Sequence, residues 1–132
     1  MPFEEIAHTA DWAMRVRARN LTQLFIESAR GMNALSGAKP APGPRTHRIL
    51  TLSAPDDESL LVAFLSELVY AAEQENLMFD KFKIQVDGQR LEVGMDGSLI
   101  ASINKSIKAV TYHNLQIREV EGGVEVEIVF DV

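Results

Sequence analysis

The chain has 132 residues, 46% apolar and 24% charged, with 13 Lys/Arg against 19 Asp/Glu and a formal net charge of −6. That length and apolar fraction are those of one domain with its own core, and they exclude a disordered chain. The lack of cysteine excludes disulfides, thiolate zinc sites, iron–sulfur ligation and a Cys nucleophile, and no apolar stretch approaches the ~18–20 residues of a membrane span.

The alternation of Trp12, Met14, Val16 and Ala18 with Ala13, Arg15 and Arg17 predicts a half-buried strand over 12–18. Asn20 then reads as a helix N-cap with Gln23 three residues on, and Leu21, Leu24, Phe25, Ser28, Met32 and Leu35 carry helical spacing to a stop at Gly37. Three prolines in residues 38–44 interrupt both kinds of ladder and predict an exposed connection. A strand follows over 45–53. Pro55-Asp56-Asp57-Glu58 opens a second helix with negative charge at its positive dipole end. Its stripe of Leu61, Phe64, Leu65, Leu68 and Ala72, widened by Leu60 and Val69, runs toward Asn76.

The remainder reads as strands. Phe82, Ile84 and Val86 alternate up to Asp87-Gly88, a two-residue hairpin signal, and Leu91, Val93 and Met95 return from it. Asp96-Gly97 predicts another turn. Residues 107–120 read as one long extended segment, turned back by Glu121-Gly122-Gly123 into a last strand with Val124, Val126, Ile128 and Phe130 on one face. The order predicts a single α+β domain over 1–132, a mainly antiparallel sheet with two helices on a face.

Charge is uneven along the chain. Residues 1–55 hold seven Lys/Arg against four Asp/Glu, and residues 56–132 hold six against fifteen. An acidic C-terminal part disfavours direct sequence-specific nucleic-acid binding and suits a basic protein partner or a divalent cation. Glu4 and Glu5 stand where a signal peptide would be basic, so a cytoplasmic location is expected.

No phosphate-binding glycine loop, nucleophile elbow, HExxH or EF-hand loop is present in the sequence. Two acidic features remain. Asp131 and the α-carboxylate of Val132 place two hard oxygen anions one residue apart at a strand end. Such a pair suits Ca²⁺, Mg²⁺ or Mn²⁺ once a third acid approaches; the plain alternative is a solvated, fraying terminus. Asp11, in His8-Thr9-Ala10-Asp11, is a candidate for that third acid or a simple turn residue, and His8 reads as a hydrogen-bonded structural histidine. A third feature, Lys108, Thr111, Tyr112 and His113 within 107–113, suits either a half-buried strand or a polar cleft facing a partner.

Read together, these pieces resemble the archease family. The resemblance rests on His8-Thr9-Ala10-Asp11, the segment 60–70 with Leu65-Ser66-Glu67-Leu68, Ile107-Lys108-Ala109-Val110-Thr111-Tyr112-His113, and the terminal Ile128-Val129-Phe130-Asp131-Val132. It matches only in outline over 38–55 and 87–106. The histidine-containing segment that some relatives carry before the KAVTYH piece is absent from 98–106, so no role is carried over to it. The resemblance implies an α+β fold related to the strand–helix–strand–strand module. It implies an accessory protein, not an enzyme, of an RtcB-type RNA ligase in tRNA splicing or RNA repair. Such a protein speeds GTP-dependent guanylylation of the Mn²⁺-using ligase and supports its multiple turnover. It also implies a divalent-metal site made by Asp11, Asp131 and Val132. The alternatives are a chaperone or binding module for RNA-modifying enzymes such as tRNA methyltransferases, a small metal-dependent hydrolase, and a structural or dimerising domain.

Overall fold

The computed structural model describes residues 2–6 and 12–132. In chain order these form β1 (Phe3–Ile6), β2 (Trp12–Ala18), α1 (Leu21–Ser36), β3 (Lys39–Pro40), β4 (Thr46–Ser53), α2 (Asp57–Glu75), β5 (Leu77–Asp87), β6 (Arg90–Ser102), β7 (Ala109–Val110), β8 (Arg118–Val120) and β9 (Gly123–Asp131). The class is α+β with antiparallel sheets, as the element order predicts. One sheet has the order β1-β2-β9-β7, with β8 also pairing β9; in the other, β6 is flanked by β5, β4 and the short β3.

Both helices begin and end where their caps dictate. The Asn20 side chain accepts the Gln23 N–H at 2.8 Å, and Asp56 accepts that of Ser59 at 2.7 Å, each satisfying a donor that the helix leaves unpaired. Gly37 and Asn76 close the helices in the left-handed conformation, at φ 70° and 54°. α1 packs on β2 and β5, and α2 packs on β4, β5 and β7, so each helix touches both sheets and the core lies between them. Phe25 stacks on Phe64 at 6.1 Å, and Phe64 meets Phe82 edge-on at 6.0 Å, which ties α1, α2 and β5 together through aromatic contacts.

Several details differ from the sequence reading. Phe3–Ile6 forms a strand that no pattern predicts, and the proline-rich 38–44 connection carries β3, with Lys39 opposite Ser102 and Pro40 opposite Ile100 of β6. The Asp87-Gly88 hairpin exists, but Asp87 pairs with Arg90 and the loop is Gly88–Gln89, with Gly88 at φ 63°. Asp96-Gly97 is no turn: β6 runs straight through it, and Gly97 pairs with Thr46 on one side and Phe79 on the other. The glycine serves close approach. A Cβ there would fall 1.9 Å from the Met78 carbonyl oxygen, beside the register shift between Phe79 and Lys81. Residues 107–120 are not one extended segment. They hold the two short strands β7 and β8, separated by a turn in which Asn114 is left-handed at φ 51°. Finally, β5 begins at Leu77, directly after the Asn76 cap, and not near Phe82.

Candidate functional site

The last strand is held on both edges as far as Phe130, and on the β7 edge to Asp131. Val124, Val126, Ile128 and Phe130 face the core, and Phe130 and Ile128 are fully buried. β2 pairs along one edge as far as Trp12↔Phe130. β7 pairs along the other through Val110↔Phe130 and Ala109↔Asp131. Two further backbone bonds fasten this edge: the Lys108 N–H donates to the Asp131 carbonyl at 2.8 Å, and the Thr111 N–H donates to that of Val129 at 3.0 Å. Val132 still packs against the core. A strand end so paired does not fray as exposed termini do, and it presents Asp131 as an exposed carboxylate on a firm backbone.

Trp12, at the mouth of β2, packs against the core and carries the Lys105 ammonium 5.0 Å from its ring centroid. This cation–π contact brings a positive charge to the residue opposite Phe130. His113 is exposed in the turn after β7, where its N–H donates to the Thr111 hydroxyl oxygen at 3.2 Å. The Lys108-to-His113 segment is therefore a two-residue strand followed by a turn, and Tyr112 is 61% exposed in it.

Asp131 and Val132 lie together at this end. His8 and Asp11 fall outside the described residues. Among the described residues, no group of three or more His, Cys, Asp and Glu side chains could hold a metal ion. The Asp131 carboxylate is a hard oxygen donor, a chemistry that suits Ca²⁺, Mg²⁺ or Mn²⁺ better than a soft metal.

One charged cluster escapes the sequence reading. Glu125, only 7% exposed, sits on the same face of β9 as Asp131, since odd positions of a strand share a face. Its carboxylate accepts from the Arg17 Nε at 2.5 Å and lies 3.8 Å from Arg15 and 3.7 Å from Arg118. The hydrogen bond from Arg17 holds the Glu125 carboxyl below the usual carboxylate range, and the surrounding positive charges add to it. The cluster crosslinks β2, β9 and β8. The Arg17↔Glu125 register was its signal, and that pairing is invisible until β2 and β9 are known to be neighbours.

The model of the Archease protein family (MTH1598/TM1083) matches residues 3–132. The chain belongs to the archease family. Protein archease of Methanosarcina mazei is 34% identical over 98% of this chain and 95% of its own length. That of Methanopyrus kandleri is 29% identical over the whole of both. Among solved structures, an archease from Thermotoga maritima, described as a possible chaperone, superposes with a TM-score of 0.73 at 18% identity, covering 98% of this chain and 96% of that one. Methanobacterium thermoautotrophicum protein 1598 superposes at 0.72 and 22% identity over 99% of each chain. These two likenesses show a shared fold. Among the described residues, no helix of this archease is long and apolar enough to cross a membrane.

Proposed function

We propose that this archease activates an RtcB-type RNA ligase, promoting its GTP-dependent guanylylation and its multiple turnover in tRNA splicing or RNA repair. We place the working end of the molecule at Asp11, Asp131 and Val132. The observation that carries the reading is the anchored end of β9, with its register closing at Trp12↔Phe130. In the sequence Asp11 directly precedes Trp12, and Asp131 directly follows Phe130.

In this reading Asp11, Asp131 and the Val132 main-chain carboxylate hold one divalent cation. When bound, the cation supplies positive charge for positioning phosphate oxygens. The protein's own part is preorganisation. β7 pairs with Asp131, β2 with Phe130 beside it, and Val132 packs against the core, so little ordering of the strand end is required on docking. The acidic C-terminal part of the chain favours approach to a basic, RNA-binding ligase surface.

The test is a ligase guanylylation assay with GTP, with and without the protein. Wild-type protein accelerates nucleotide transfer, and Asp131→Ala, at an exposed position, keeps its fold and does not. Stimulation that survives Asp131→Ala removes the carboxylate end from the mechanism. It favours the chaperone reading, which is the description given to the Thermotoga maritima relative.

A further inference from the structure

Among the described residues, nothing pairs with the outer edge of β4. The Ala54 N–H donates to the Gln89 carbonyl at 3.0 Å, and Ser53 lies opposite Arg90. In an antiparallel ladder, bonding to one neighbour alternates residue by residue. Leu52, Leu50, Arg48 and Thr46 therefore bond to β6, while Ser53, Thr51, Ile49 and His47 turn N–H and C=O to the open side. No described strand pairs on that side.

The other free edges of the described strands are short or protected. β1, β3, β7 and β8 span four, two, two and three residues. β5 carries Lys81 and Lys83 and a register shift, devices that discourage edge pairing. β4 is eight residues long and pairs with β6 without interruption. Its two basic side chains are engaged: Arg48 is clamped by Glu75 at 2.8 Å, and His47 Nδ1 lies 2.7 Å from Asp96. At the centre of its outer face stands Ile49, 72% exposed, because its cross-strand partner is Gly94, which has no side chain to cover it.

We infer that β4 pairs antiparallel with β4 of a second copy of this chain, about a two-fold axis at Ile49, joining two β5-β6-β4 sheets into one. The strand is its own complement in this register. Ile49 of one copy meets Ile49 of the other, and each His47 meets a Thr51. On the inner face, Arg48 meets Leu50 and Thr46 meets Leu52. No like charges face each other, and the residue with most apolar surface to cover lies on the axis. The outward groups of His47, Ile49 and Thr51 supply about six main-chain hydrogen bonds. The contact is isologous and closes at two copies.

Sedimentation equilibrium of the full chain tests this, from low micromolar to the highest soluble concentration. The wild type shows a monomer–dimer equilibrium. Ile49→Lys sets two ammonium groups face to face on the axis and weakens association by about tenfold or more. Thr51→Pro removes an outward N–H and has a similar effect, without breaking a bond to β6. Both keep the wild-type circular dichroism, and in the wild type amide exchange at His47, Ile49 and Thr51 slows as concentration rises. A wild type that stays monomeric throughout overturns the inference. So does a dimer that neither substitution weakens.

Discussion

Phe130→Ala separates the role of the last strand's core face from that of its exposed end. Phe130 is fully buried, and its backbone sits between Trp12 and Val110. Its side chain belongs to the core cluster that also holds Ile128, Val126 and Met14. Truncation removes the ring's transfer free energy and leaves a cavity that its paired neighbours cannot collapse into, a loss of about 3–5 kcal/mol. With a urea slope of about 1.5 kcal/mol/M for a chain this size, the unfolding midpoint falls by about 2–3 M. Asp131→Ala, one residue on, removes an exposed side chain while its backbone bond from Lys108 remains, so stability changes by less than about 0.5 kcal/mol. Urea titrations of the wild type and both variants, followed by circular dichroism at equal slope, measure the two effects. A Phe130→Ala loss below about 1.5 kcal/mol would show that the end of β9 is not the packed anchor described here. An Asp131→Ala loss as large as that of Phe130→Ala would show that the two faces cannot be separated.

Other outcomes follow from the same geometry. Gly97→Ala places a Cβ against the Met78 backbone and costs about 2–3 kcal/mol or more in thermal unfolding. Gly94→Ala, whose Cβ would meet nothing closer than His47 Cε1 at 3.9 Å, is tolerated; equal effects would discount the close approach at Gly97. Asn76→Val puts a β-branched residue at φ 54° and costs about 1–2 kcal/mol, whereas Asn76→Gly is neutral or stabilising in the same assay. Glu125→Gln tests the arginine cluster by pH. The folded carboxyl lies below its ordinary value of 4.5, so the stability it adds is present above that value. It fades as pH falls through the lower folded one. The melting temperatures of wild type and Glu125→Gln therefore differ at neutral pH and converge in acid; a gap independent of pH would contradict the assignment.

The helices were legible because their limits are written in local chemistry. Asn20 and Asp56 cap the next turn, Gly37 and Asn76 close it, and the apolar positions between follow one period. β9 was legible for the same reason, with one face apolar to Phe130. The misread places turn on long-range facts. Asp96-Gly97 has the composition of a hairpin turn, yet the glycine answers to the β5 backbone pressing from the neighbouring strand. β7 and β8 are short because Asn114 turns the chain between them, and no periodicity in 107–120 announces that turn. At the candidate site, the sequence offered Asp131 and Val132 as neighbours and Asp11 as a distant acid. What it did not contain was the pairing of β2 with β9, which carries Trp12 to Phe130 and Arg17 to Glu125.

Asp11, Asp131 and Val132 are proposed to act together as one cation site. Isothermal titration of the metal-free protein with Mn²⁺, repeated with Ca²⁺, tests it directly. A single site is expected in the wild type, lost in Asp11→Asn, in Asp131→Asn and in a form extended by residues after Val132, with unchanged circular dichroism in all three. Undiminished binding in either aspartate variant would contradict it.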